Sequence, residues 1–194
     1  MSVKEKMKKL LTILGLVALL FAGCSNPVEN SPASGSIKER MELGTDSLNV
    51  YPRELYIEKE IDGEIGSKIT LEGIYQNYFG DTVTVKATIT VPAGAYKRSK
   101  LISMRTDSHL PAMEFQPSGE FDLPLKLDLK ITGMQLERYG LQDGKTDFFY
   151  IADDGTITLI KNDGLNVNLG DKKAEVKGAK LNHFSRYGFI RKEE

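Results

Sequence analysis

Cysteine and histidine, the residue types that most often carry metal or nucleophilic chemistry, are scarce and widely spaced in this 194-residue chain. Cys24 is the only cysteine, and the two histidines, His109 and His183, stand 74 positions apart. No His, Cys or carboxylate spacing suggests zinc. The run Asp153-Asp154-Gly155 lacks the alternating ligands of a calcium loop and reads as a hairpin turn, while His109, just before Pro111, reads as a loop residue. A nucleophile elbow, a phosphate-cradling glycine loop and a dinucleotide fingerprint are all missing from the sequence. The expectation is no cofactor and no resident metal. Aromatic rings offer another chemistry, because they are favoured anchors in recognition. Tyr75, Tyr78 and Phe79 gather around Gly80-Asp81, and Phe148-Phe149-Tyr150 form a second run. Neighbours along a strand face opposite sides, so at least one ring of the second run should reach the surface if its strand buries one face.

The surroundings of Cys24 indicate what its thiol is for. Lys4, Lys6, Lys8 and Lys9 make a positive start, and Leu10 to Gly23 is a 14-residue run without a charge. That is the anatomy of a signal peptide. A spanning helix needs about 20 apolar residues, so this run is too short for a permanent anchor. Leu20-Phe21-Ala22-Gly23-Cys24 resembles the lipobox of bacterial lipoproteins, with Phe21 where that pattern usually has Leu. The resemblance implies cleavage between Gly23 and Cys24 and a lipid anchor, palmitate included, on the new N-terminal cysteine. It places the protein on a cell membrane or outer membrane, facing the extracytoplasmic side. Ser25 is not the Asp that resembles an inner-membrane retention signal, so in a double-membrane host the outer membrane is expected.

The leader holds four of the 26 basic and one of the 27 acidic residues, leaving a mature chain of net charge −4 with no basic stripe. Nucleic acid is therefore an unsuitable partner. From Cys24 onward the length suits one domain with a real core, stabilised by packing because the single cysteine is committed to lipid. Three segments are expected: a signal peptide over 1–23, the lipidated cysteine and a flexible tether over 24–46, and a β-sandwich domain over 47–194. The tether is rich in Ser, Pro and Asn, and Ser36-Ile37-Lys38-Glu39 has the form of a capping box for a short helix from Ile37 to Glu42.

From about Leu48 the hydrophobic period becomes two, the mark of strands with one buried face. In Thr82 to Val91 every odd position is apolar and every even one is Thr or Lys. Leu123, Leu125, Leu127, Leu129 and Ile131 repeat the device, with Pro124 marking a strand start or edge because it lacks a ladder donor. Shorter alternations follow at Ile157/Leu159, Leu165/Val167/Leu169 and Ala174/Val176. Asp62-Gly63, Asp154-Gly155, Asp163-Gly164 and Gly170-Asp171 supply turn residues with positive φ between them. The pattern predicts an all-β, antiparallel sandwich or barrel. Met134 to Leu141 takes no clear assignment.

Val91-Pro92-Ala93-Gly94-Ala95 closes the best strand. Phe115-Gln116-Pro117-Ser118-Gly119, Phe121 and Pro124-Leu125-Lys126-Leu127 follow, then Leu181-Asn182-His183-Phe184-Ser185-Arg186-Tyr187-Gly188. In this order, over about 82–190, they resemble the ZU-five domain, named for zonula occludens and uncoordinated-five proteins and found in ankyrins and many bacterial surface proteins. The resemblance implies a ZU-five-like β-sandwich acting as a structural or protein-binding module. The expected role is non-enzymatic, with the membrane reached through the lipid on Cys24 and an envelope protein or polysaccharide as partner. Relatives in death-domain scaffolds, and an unrelated nuclear-pore protein, carry His-Phe-Ser at a self-cleavage point. That implies an alternative in which the Ser185 hydroxyl attacks the Phe184 carbonyl, His183 takes the proton, and water opens the resulting ester. Such attack needs a distorted peptide. The competing reading makes Leu181 to Ile190 the last strand, with Phe184 or Tyr187 in the core and Ser185 facing out.

Overall fold

The computed structural model describes residues 51–152 and 154–192. Gly23, Cys24, the expected tether, the expected short helix near Ile37 and the expected boundary at 47 lie outside the described residues. Within them the chain forms β1 (Tyr56–Asp62), β2 (Ser67–Gln76), β3 (Thr82–Val91), β4 (Ser99–Thr106) and the long β5 (Ala112–Thr132). A 3₁₀ turn (Leu136–Tyr139) leads to β6 (Thr146–Ile151), β7 (Ile157–Leu159), β8 (Gly164–Asn168) and the long β9 (Lys173–Arg191). Every strand pairing is antiparallel. The fold is all-β and sandwich-like. Among the described residues no helix is long and apolar enough to cross a membrane.

Alternation explains the centre of the sheet. Val83, Val85, Ala87, Ile89 and Val91 of β3 are buried, while its Thr and Lys positions face outward or lie at the margin. β3 is flanked by β2 from Ser67↔Val91 to Gln76↔Thr82 and by the second half of β5 from Thr84↔Thr132 to Thr90↔Lys126. Leu125, Leu127, Leu129 and Ile131 are buried as the alternation requires, but Leu123 is 45% exposed and departs from it. Pro124 does not start β5, and residue 124 pairs with none of β3, β4 and β9. It stands inside the strand where the pairing to β9 is interrupted, so its missing N–H costs no ladder bond.

Two strands belong to both layers. β5 pairs with β4 through 113–116 and with β3 through 126–132, while β9 pairs with β8 through 173–177 and with β6 through 186–191. Between these stretches the β5–β9 register jumps: Leu125↔Leu181, Glu120↔His183, Gly119↔Phe184, Glu114↔Arg186. β5 spends 121–124 opposite Asn182 alone and 115–118 opposite Ser185 alone. The extra residues let β5 take the longer path round the corner where both strands change layer. A further bulge sets Leu129↔Val176 beside Leu127↔Ala179. There Gly178 has φ 57, and its N–H donates to the Asp128 carboxylate at 2.8 Å.

The turn pairs divide by topology. Asp154-Gly155 and Gly170-Asp171 lie in the β6–β7 and β8–β9 hairpins, whereas Asp62-Gly63 and Asp163-Gly164 lie in connections between strands that do not pair. Only Gly155 of the four glycines has positive φ, and in the β8–β9 hairpin Lys172 takes that conformation instead. Gly63 is needed for space: an added Cβ would stand 2.2 Å from the Tyr96 ring. β7 also departs from expectation, with Ile157 and Leu159 both exposed. It is a three-residue edge strand paired only with β6, too short to bring a face onto the core. Met134 to Leu141 contains the 3₁₀ turn, pinned by buried Met134, Leu136 and Leu141.

Gly178→Ala is expected to destabilise the fold by about 1–2 kcal/mol, the cost of holding a Cβ in the left-handed region. An added Cβ would also lie 2.1 Å from the Asp163 carboxylate. Urea unfolding of both proteins measures the difference.

Candidate functional site

The loop 77–81 is organised from inside. Asn77 is 3% exposed, and its side-chain oxygen accepts the N–H groups of Phe79 at 3.1 Å and Asp81 at 2.8 Å. Its amide nitrogen donates to Asp81 Oδ2 at 3.0 Å, and Gly80 closes the turn with φ 84. An Asn that bonds the backbone ahead of it makes a turn without help from a sheet ladder. The residues it frames, Tyr78 and Phe79, are 59% and 47% exposed. Tyr75, two residues before Asn77 and on β2, is fully buried; burial pushes its phenol well above the usual tyrosine range. Of the three aromatics singled out in sequence, Tyr75 is core and the other two are surface.

A second loop is built the same way and held against the first. Asp107 Oδ1 accepts the N–H groups of His109 at 2.8 Å and Leu110 at 3.1 Å, and the Tyr78 N–H donates to the Ser108 carbonyl at 2.8 Å. His109 thereby stacks on Tyr78, ring centroids 4.7 Å apart. Phe79 meets Tyr78 edge-on at 5.3 Å, and the Arg138 guanidinium lies 4.4 Å from the Phe79 ring centre. A cation over an exposed ring contributes about 0.5–1 kcal/mol. Arg138 is also 3.6 Å from Asp81, whose side chain is only 8% exposed. The result is a continuous ridge, His109–Tyr78–Phe79–Arg138, with half-buried Tyr139 behind Phe79. Sequence reading missed Arg138 and Tyr139 because they lie in the unassigned stretch after β5, and it left His109 a lone loop residue. In the second aromatic run, Phe148 is buried and Phe149 and Tyr150 are half-buried. None is exposed: Phe148 packs on Tyr187 and Phe189, and Tyr150 on His183 and Tyr187.

His183-Phe184-Ser185 lies in β9 at the corner where the strand changes layer. Phe184 is 2% exposed, stacked on Phe115 at 5.8 Å and edge-on to Phe121 at 4.8 Å. Tyr187 is buried as well, and its hydroxyl donates to the His183 carbonyl at 2.5 Å. The His183 ring meets Tyr150 edge-on at 4.4 Å. Among the described residues no hydrogen bond joins the His183 ring to the Ser185 hydroxyl. Asp154 serves the β6–β7 turn, accepting the Thr156 N–H at 2.9 Å; Asp153 lies outside the described residues.

A third feature is an open trough of about 400 Å³ on the face of β1, β4 and β5, lined by Tyr56, Leu101, Arg105, Glu114 and Pro117 among others. Its charges form a chain across the strands. Arg105 and Arg186 both bond the Glu114 carboxylate, Arg186 at 3.1 Å, and Arg186 Nε approaches Asp107 at 3.9 Å. The Arg105 guanidinium, then the nearby Arg186, holds the Glu114 carboxyl below the usual carboxylate range against the opposing effect of burial.

Phe184→Ala is expected to cost about 3–5 kcal/mol, and Ser185→Ala no more than about 0.5 kcal/mol, both read from urea unfolding. Denaturing intact-mass spectra of the parent and Ser185→Ala are expected to show one full-length species each; a fragment in the parent alone would establish self-cleavage. A depressed carboxyl contributes stability that is complete above its unfolded value of about 4.3 and is lost as pH falls through its folded value. Glu114→Gln should therefore cost on the order of 1 kcal/mol at neutral pH, its half-exposed partner screening the rest. The difference should shrink on titration toward pH 3, as urea midpoints would show.

No family model, no curated protein and no solved structure matches the chain.

Proposed function

We propose that this chain is a lipid-anchored, extracytoplasmic, non-enzymatic binding or structural module of a bacterial envelope, built on a ZU-five-like sandwich. The observation that carries the binding role is the ridge of His109, Tyr78, Phe79 and Arg138. Its rings are exposed although two buried or half-buried polar side chains, Asn77 and Asp107, are committed to shaping the loops that display them. Aromatic and arginine side chains held rigidly at a surface lose little conformational freedom on binding, which suits them to recognition. The anchor rests on the lipobox-like Leu20 to Cys24 after a charged start and a short apolar run. Together they give a surface-held receptor whose partner is an envelope protein, a polysaccharide or the membrane itself.

Cys24→Ala, expressed in a lipoprotein-processing bacterium, is expected to move the protein from the membrane fraction to the soluble fraction, while the parent stays with membranes until detergent is added. Full retention of the variant on membranes would refute the anchor.

A further inference from the structure

The ridge stands at one particular end of the sandwich. Loop 77–81 is joined there to the 3₁₀ segment, since Gln135 N–H donates to Asp81 Oδ2 at 3.3 Å, and to loop 107–111 through Tyr78 and Ser108. The described chain enters at the same end: the Gln76 N–H donates to the Pro52 carbonyl at 2.9 Å, and the Thr106 N–H donates to the Leu55 carbonyl at 3.0 Å. Leu110, next to His109 in loop 107–111, is exposed as well. The connection between Asp62 and Ser67, with Ile65 76% exposed, caps the opposite end.

Only 26 residues separate Tyr51 from Cys24. A chain of that length and Ser/Pro/Asn-rich composition has a root-mean-square span of about 25–30 Å. If Cys24 is fixed in a bilayer, a tether of that span keeps the entry end within reach of the lipid. A short tether gives any ring there a high effective concentration at the surface, so weak affinity suffices. The chemistry of the ridge fits a headgroup layer. Tyrosine and phenylalanine rings settle at the boundary between headgroups and tails. Arg138, the charge on the ridge itself, is paired with Asp81, which limits the cost of leaving water. With Arg138 offset by Asp81, attachment is by ring insertion and not by attraction to anionic lipid.

We infer that the ridge of Tyr78 and Phe79 is a membrane-docking surface that seats the sandwich, entry end down, on the bilayer holding its own lipid. The inference rests on the anchored reading given above. Docking of this kind fixes the orientation of the domain and turns Ile65 and its connection away from the membrane.

The chain contains no tryptophan, so one introduced tryptophan is an unambiguous reporter. Full-length, lipid-modified protein carrying Phe79→Trp, or Tyr78→Trp as a second reporter, is reconstituted in vesicles of phosphatidylethanolamine and phosphatidylglycerol with or without brominated tails. The same is done with Ile65→Trp. Rings seated about 5–10 Å into the interface should give blue-shifted emission and at least about twofold quenching by brominated tails at positions 78 and 79, with little at 65. Solvent-like, unquenched emission at both ridge positions in protein that floats with the vesicles would overturn docking, leave the anchor standing, and assign the ridge to a soluble partner. Equal quenching at all three positions would overturn it too, since the contact would have no preferred face. If the protein fails to float and Cys24→Ala behaves identically, the anchor falls and docking falls with it.

Discussion

A pleated strand can turn only every second side chain toward a core, yet β9 buries Leu181, Phe184 and Tyr187 at intervals of three. Each odd interval means that the strand has rotated relative to the core, which happens when it leaves one layer and joins the other. β5 must follow it, because the two strands pair on both sides of the corner. The extra residues of β5 around Pro117 and Pro124 supply the length, and the rings of Phe115, Phe121 and Phe184 fill the space the bend opens. Most other strands hang from this pair: β3 and β4 on β5, β6 and β8 on β9. The Gly178 bulge makes the same kind of adjustment lower on β9, moving burial from Val176 to Ala179.

That arrangement leaves the loops at the chain's entry end free of ladder duty. Their shape comes from side chains that substitute for a ladder, Asn77 in one and Asp107 in the other. Because these polar groups are satisfied locally, the aromatic residues between them are not required in the core and can be displayed. Rings held in this way differ from scattered exposed apolar residues, which most protein surfaces carry without purpose. His-Phe-Ser has the opposite character. Its central ring is among the most buried in the molecule, and the hydroxyl of Tyr187 is spent on the His183 carbonyl.

Period-two alternation was enough to mark β3 and the second half of β5, since a strand with one face on a core must repeat its apolar residues at that spacing. The same rule failed at Ile157, Leu159 and Leu123, where the chain alternates but no facing layer covers it. Asp-Gly pairs marked the places where the chain turns, but not whether the turn joined paired strands. Gly63 illustrates why: its place is set by the Tyr96 ring, distant in sequence.

By itself the amino-acid sequence determined the all-β class, the strongest strands, the reliance on packing, and the exposure of polar turns, because each is a consequence of local spacing and composition. Tertiary structure alone decided which aromatics are core and which are surface. Tyr75, Tyr78 and Phe79 are alike in sequence, but Tyr75 lies on a paired strand while the other two ride a turn shaped by Asn77. It also brought His109 and Arg138, from two other loops, onto the same ridge. Contacts between residues so far apart in the chain depend on how the layers close, and no local pattern encodes that closure.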